Sequence, residues 1–461
     1  MRAMITALAL TAAMAMTAQQ LEEYFVKEVV FPAGATTEQK VEMAARVVPT
    51  PQQRAWQDCE LTAFLHFGIN TFTDREWGDG TEDPAIFNPD SLDTDQWVST
   101  LKDAGFKMVI LTAKHHDGFC LWPTATTAHS VASSPWRGGK GDVMADLRKS
   151  CDKYGMRLGV YLSPWDRNAP CYGQGQPYND MFVAQLTELL TKYGKIDEVW
   201  FDGANGEGPN GRRQDYDWLR FRKTIRDLQP DAVLAIVGDD VRWVGNEGGV
   251  GRETEWSVNA LTPEIYAYAD SANKALGLRG KSPDLGSREI IAKADQVRWW
   301  PSEVDVSIRP GWFYHDYEEP RPLSRLVRIY LQSVGRNSVL LLNIPPDRHG
   351  RMADNDVKRL MALRRWIDTN FADNLLDKPG STVNAVVLTE DIGRGQRVES
   401  FDVQALTAGE WKTVARGTTI GRKRIVTFDD TPADSLRLMV TASRLEPHAT
   451  LTGAYRINVP K

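Results

Sequence analysis

Cysteine is scarce in this 461-residue chain: there are four, Cys59, Cys120, Cys151 and Cys171. They lie far apart, with no CxxC pair and no zinc-type spacing. That excludes a disulfide-stapled scaffold and a structural zinc module. One disulfide is compatible with the count, and four buried free thiols are the simpler expectation. A run of one charge sign is also missing. Lys and Arg are scattered and the net charge is −6, so the concentrated basic face that a polyanion needs is absent and no nucleic-acid partner is expected. Nor is there an internal repeat, a low-complexity tract, or a membrane-spanning segment. The apolar run at residues 3–16 (AMITALALTAAMAM) is too short to cross a bilayer and has no stop-transfer flank.

That run follows Arg2 and ends in Thr17 and Ala18, the pattern of a secretory signal over residues 1–18. It predicts export to the periplasm or the extracellular space. No Cys follows the cleavage point, so a lipid-modified variant is not expected. Residues 19–50 are polar and end at Val-Pro-Thr-Pro (48–51), which reads as an arm or linker. The length exceeds what one hydrophobic core usually supports, so two domains are expected. With 42% hydrophobic and 25% charged residues, the composition is that of a soluble globular protein. Fifteen tryptophans are many. Most must serve as core or interface fillers, yet flat indole rings also suit the apolar C–H faces of pyranoses.

Eight near-continuous apolar runs of strand length follow: 60–69, 106–115, 156–165, 198–204, 232–240, 252–258, 297–306 and 338–346. Such runs suit parallel strands buried on both faces. Amphipathic segments lie between them. In 142–154, Asp142 can cap a helix whose Val143, Leu147, Cys151 and Tyr154 share one face before Gly155 stops it. Segment 179–193 repeats the pattern with Phe182, Leu186, Leu189, Leu190 and Tyr193 before Gly194. The alternation predicts a (β/α)8 barrel over residues 51–376. A doubly wound sheet is the alternative, but no Gly-rich phosphate turn follows the first strand. From residue 377 to 461 short β-branched runs between turn residues predict an antiparallel β-sandwich.

Function in a barrel resides at the C-terminal strand ends. Polar residues gather there: His66, Lys114 to Asp117, Tyr161, Ser163, Asp202, Arg242, Glu247, Glu253, Glu255, Glu303, Arg309 and Trp312. Converging carboxyl groups, imidazoles and indoles suit a ligand rich in hydroxyls. One chemistry is metal binding by His66, His115, His116 and Asp202. Adjacent strand residues face opposite ways, however, and HxH spacing is absent, so no metal or other cofactor is expected. The other is glycosidic cleavage by two carboxyl groups. Position alone leaves Asp202 open between a nucleophile and a cap for the following helix.

FLHFGIN (64–70), REW (75–77), TAKHHDGFCLW (112–122), GVYLSPWD (159–166), EVWFDGANG (198–206) and RWVGNE (242–247) together resemble the α-L-fucosidases of glycoside hydrolase family 29. The likeness runs from about residue 50 to 350 and is strongest to the branch acting on α-1,3/1,4-fucosylated branched glycans. It implies a retaining exo-fucosidase with Asp202 as nucleophile. The acid/base falls on Glu247 by the GNE segment, with Glu255 in reserve by a TEW segment. It also implies sugar contacts at His66, Glu76, Trp77, His115, His116, Tyr161, Arg242 and Trp312, and a fucosylated oligosaccharide or glycoconjugate as partner. Pairing with Arg242 or Arg252 is the structural alternative for Glu253 and Glu255, and an ion pair that for Glu303. Another barrel glycosidase of the galactosidase kind, or a non-catalytic carbohydrate-binding protein, remains compatible with the residues themselves.

Overall fold

The computed structural model describes residues 25–460; the signal segment expected at 1–18 lies outside them. Strands β1 (Glu28–Val30), β2 (Leu61–Leu65), β3 (Met108–Lys114), β4 (Arg157–Leu162), β5 (Glu198–Phe201), β6 (Val233–Ile236), β7 (Arg242–Trp243), β8 (Val258–Asn259), β9 (Gln296–Trp299), β10 (Ser302–Ser307) and β11 (Val339–Asn343) make up the first part. Eight of them form one all-parallel sheet in the order β6-β5-β4-β3-β2-β11-β10-β7. A bridge between Ala235 and Val241 brings its two edges together, so the sheet is a nearly closed barrel.

Side-chain alternation explains what each strand does. Residues 61, 63 and 65 of β2, 109, 111 and 113 of β3, and 158, 160 and 162 of β4 point outward into the main core beneath the helices. The other set fills the interior, where Phe64, Ile110, Tyr161, Trp200, Ala235 and Leu341 pack together. Trp56, from helix Pro51–Gln57, joins this interior set and donates its indole N–H to Glu198 at 2.8 Å. Gly159 leaves the space that Glu198 and Ile110 occupy: a Cβ there would stand 2.8 Å from the Ile110 side chain.

The outer helices follow their sequence signals. Helix Val143–Tyr154 starts with the Asp142 carboxylate accepting from Ala145 N at 2.8 Å, and stops at Gly155 in the left-handed conformation. Helix Gln176–Lys192 covers the next interval, opening with a proline in its first turn.

Two of the eight expected strands differ. The sixth barrel strand is the two-residue β7. Residues 252–257 of the run 252–258 are not a strand, and the charged side chains there are held in ion pairs. The run 297–306 divides at Pro301: its first half, in β9, leaves the barrel and pairs antiparallel with β1 and β8. Strand β1 belongs to the 19–50 segment expected to be an arm or linker, and β9 holds it. Helix Thr37–Ala44 from the same segment is packed as well, sharing a core with residues 258–300.

Helix Asp354–Asn370 closes the first part. Six strands follow: β12 (Ser381–Glu390), β13 (Val398–Thr407), β14 (Glu410–Gly417), β15 (Arg424–Ala433), β16 (Ser435–Ser443) and β17 (Ala449–Tyr455). They form two antiparallel sheets, β15-β12-β17 and β14-β13-β16, around Val383, Val386, Leu388, Phe401 and Val403. No helix of the described residues is long and apolar enough to cross a membrane. All four cysteines are free thiols.

Candidate active site

The inward alternation of each strand ends in a polar group at the barrel mouth. Positions 62, 64 and 66 lead to His66, positions 198, 200 and 202 to Asp202, positions 303, 305 and 307 to Ser307, and positions 339, 341 and 343 to Asn343. Above them lies a cavity of about 600 Å³, within the range of ligand pockets. A single pyranose fills only part of it. Its lining includes His66, Trp77, His115, His116, Tyr161, Asp202, Arg242, Glu247 and Trp312.

The histidines are fixed by partners that decide which nitrogen faces the cavity. Asn343 Oδ1 accepts from the His66 backbone N–H at 3.1 Å and lies 2.9 Å from His66 Nδ1, while Asn343 Nδ2 donates to Ser307 Oγ and to the Trp312 carbonyl. An amide oxygen can only accept, so the proton of His66 is on Nδ1 and Nε2 keeps its lone pair. Ser163 repeats the device. Its hydroxyl donates to the Trp165 carbonyl at 2.6 Å, so it accepts from His116 Nδ1 at 2.7 Å. Burial pushes the His66 pKa down to about 3 against the opposing pull of Asn343. Burial and the neighbouring imidazoles hold His115 well below its ordinary value. Burial lowers His116 too, with Asp202 opposing. All three rings therefore stay neutral around pH 7 and offer donors and acceptors without a fixed charge.

Asp202 is half-buried. Its Oδ1 accepts from Ala204 N at 2.8 Å and its Oδ2 from the Tyr161 hydroxyl at 3.1 Å, with His116 Nε2 3.8 Å away. It does not cap the next helix, which starts at Trp218 under Asp217. Tyr161 stacks on Trp200 at 5.2 Å, and burial and Asp202 hold its phenol well above the ordinary value. Glu247 is exposed in the loop after β7, a turn shaped by Asn246, whose side chain accepts from Gly248 N and donates to the Val250 carbonyl. Trp243, four residues earlier, donates to Asp305 at 2.7 Å.

Three expected site residues hold other partners. Glu76 is not part of the cavity lining. Its carboxylate accepts from Trp312 N at 2.7 Å and Phe313 N at 3.0 Å, and lies 2.8 Å from His315 Nε2, so it shapes the loop carrying Trp312. Arg242 lines the cavity with its Nη2 and Nε held by the Glu255 carboxylate and the Trp300 carbonyl, while its Nη1 has no partner among the described residues. Glu255 is buried away from the cavity, between Arg242 and Arg252, which is the ion-pairing alternative. Glu253 likewise pairs with Arg336 and Arg424.

Glu303 pairs with no cation. It sits inside the barrel facing Glu198, with Trp200 donating to it at 2.7 Å. Burial raises Glu198 to about 8, and burial with Glu198 as neighbour raises Glu303 well above the carboxylate range. Asp305, next inward on β10, is raised by burial, then by Glu303 and Glu247. Asn343 and Asp305 are the residues that the sequence reading does not reach, whereas it places Ser163 at a strand end without a role. Period-two counting along β10 and β11 would have reached Asp305 and Asn343. Among the described residues no group of three or more His, Cys, Asp or Glu has an arrangement that could hold a metal ion.

A parallel barrel whose mouth presents carboxyl groups, neutral imidazoles and indoles around a sugar-sized cavity is the framework of a carbohydrate-active protein. Comparison with known proteins specifies the kind. The α-L-fucosidase family model matches residues 81–372. The chain is 40% identical to α-L-fucosidase 1 of Arabidopsis thaliana, over 88% of this chain and 87% of that one. Its structure is similar, at a TM-score of 0.92 and 60% identity, to that of a candidate α-L-fucosidase from Bacteroides ovatus, covering 95% of this chain and 79% of the other. A Ruminococcus gnavus family 29 fucosidase solved with fucose aligns at a TM-score of 0.77 and 29% identity, covering 95% and 98%. The chain belongs to the α-L-fucosidases of glycoside hydrolase family 29, and is therefore a glycoside hydrolase. The galactosidase and non-catalytic alternatives fall away with that membership.

Proposed function

We propose that this enzyme is an exported exo-α-L-fucosidase that removes α-1,3/1,4-linked terminal fucose from branched glycans with retention of configuration. The observation that carries the mechanism is Asp202, held by Tyr161 and Ala204 N, in the same cavity as the exposed Glu247 carboxyl. Asp202 attacks the anomeric carbon while Glu247 gives its proton to the departing glycosidic oxygen. The fucosyl ester on Asp202 is then hydrolysed by a water that Glu247 deprotonates. The unprotonated Nε2 atoms of His66 and His116 accept from fucose hydroxyls, and Trp312, 5.0 Å from His66, offers an apolar face to the C6 methyl. The linkage reading rests on the RWVGNE segment (242–247) and on a cavity larger than one sugar ring. Export rests on the signal-type segment.

NMR of the first-formed fucose from 4-nitrophenyl α-L-fucoside should show the α anomer, and a branched Lewis-type trisaccharide should be cleaved as well. A β product removes the retaining mechanism. Cleavage of α-1,2-linked fucose in preference to the branched substrate removes the linkage assignment. Asp202→Asn should lower kcat on both substrates by roughly 10⁴-fold.

A further inference from the structure

One wall of the cavity is not barrel at all. In the ring order of the strands, β6 and β7 stand across from β2 and β3. The wall on the β6–β7 side thus faces His66, His115 and His116. It includes Leu261, Thr262, Glu264, Asn273 and Trp300, all from the insertion between β7 and β10. Asn273 locks it: its Oδ1 accepts from Thr262 N at 2.8 Å and its Nδ2 donates to the Thr262 carbonyl at 3.0 Å.

This insertion does not hold itself. Strand β1 pairs with β9 (Glu28 with Arg298, Val29 with Val297, Val30 with Gln296), and Phe31 N donates to the Asp295 carbonyl at 2.8 Å. Lys40 Nζ, from helix Thr37–Ala44, donates to the carbonyls of Ala292 and Ala294 at 3.0 and 2.8 Å. These carbonyls end the helix Arg288–Lys293, where a cation is favourable. Phe31, Val41 and Val47 share one buried core with Leu261 and Trp300. Those two side chains therefore border the cavity from within a packed core, each only 5% exposed. On the barrel side, Lys27 Nζ meets Asp240 at 2.8 Å and Gln53 Nε2 donates to the carbonyls of Asp240 and Trp299. The segment is thereby tied to the loop that leads into β7 and Glu247.

We propose that residues 27–47 are a specificity element: they back the cavity wall of Leu261, Thr262, Glu264 and Trp300 against which the sugar ring that fucose leaves behind sits. Trp300 and Leu261 form the packed backing of that wall, and the exposed Glu264 takes hydroxyls of the pyranose. The occupant is a neutral sugar ring, because the wall joins apolar side chains to a few hydrogen-bonding groups and one carboxyl. This rests on the branched-substrate reading above. Fucose itself is bound on the other side, so the segment acts on the leaving group alone.

The test uses the full chain with Phe31→Ala and Lys40→Met, neither of which touches the cavity. Both are assayed on 4-nitrophenyl α-L-fucoside and on the branched trisaccharide, with thermal midpoints recorded. The trisaccharide kcat/KM should fall about tenfold, mainly through KM, while the aryl fucoside stays within about twofold. If Phe31→Ala does not fold, the half-buried Lys40 site decides. Parallel losses on both substrates, or unchanged ratios in folded variants, overturn the proposal while leaving the branched-substrate reading intact. A wild-type protein that cleaves the aryl fucoside and no oligosaccharide overturns both.

Discussion

The two sides of the cavity are held in place by different means. On the histidine side, most polar side chains that end a barrel strand have a partner of their own, His115 Nδ1 being the exception among the described residues. Asn343 fixes His66, Ser163 fixes His116, and Tyr161 with Ala204 N fixes Asp202. On the opposite side Glu247 stands exposed on a short loop, and the wall beyond it comes from an insertion propped by the N-terminal segment. The first side is preorganised for a ligand that never changes. The second has latitude, as suits a leaving group that varies from glycan to glycan.

The sharpest way to break this comparison is to exchange the two candidate acids. Glu247→Ala should slow cleavage of natural linkages by about 10²–10⁴-fold. Added azide should restore turnover of the activated aryl fucoside and yield a fucosyl azide of retained configuration. Glu255→Ala should show no rescue. It strands the buried Arg242, at a cost of about 3–5 kcal/mol in stability, to be read as a large drop in thermal midpoint. Azide rescue of Glu255→Ala instead would move the acid/base role from the exposed loop to the buried pair with Arg242.

Next in size is the fixed side. Asn343→Leu removes the acceptor that sets the His66 tautomer, and kcat/KM should fall about 10²-fold on every fucoside, whatever its leaving group. A loss confined to oligosaccharides would erase the distinction between the two walls. A smaller effect comes from beneath the site. Glu198 keeps its proton up to about pH 8 in the folded chain, whereas in the unfolded chain it ionises near the ordinary carboxylate value. Its contribution to stability is therefore full at low pH and is lost as pH rises through that window. Glu198→Gln should accordingly gain thermal stability relative to the wild type between pH 5 and pH 8, and midpoints that run in parallel with pH would refute this. Smallest of all, dialysis against EDTA should leave the rate unchanged. Activity lost and then restored by zinc or manganese would reassign His66, His115 and His116.

Much of the histidine side could be read from sequence, because strand alternation carries it there: a buried apolar strand that ends in His66 or in Trp-Phe-Asp202 announces its own mouth. Asn343 and Asp305 obey the same rule but look ordinary, one followed by Pro-Pro beyond Ile344 and the other set among valines. The opposite wall was not legible. Strand β7 is two residues long, too short to leave a periodic pattern. Glu255 stands in reserve as an acid with pairing to Arg242 or Arg252 as its alternative, and that pairing is what the structure shows, across an irregular loop. The pairing of β1 with β9 joins residues more than two hundred and fifty positions apart, and nothing local encodes it. The polar 19–50 segment reads as a linker when its partner strand is out of view.

The short strand β7 has a consequence of another kind. Barrels owe their rigidity to an unbroken circle of main-chain hydrogen bonds, and here the circle is thinnest between β6 and β7, where Ala235 and Val241 form one isolated bridge. No crossover helix lies outside that joint, since residues 237–241 turn straight back. The wall that carries Glu247 is therefore closed as much by side chains as by strand pairing, with Lys27 Nζ of the N-terminal segment meeting Asp240 at 2.8 Å beside the seam.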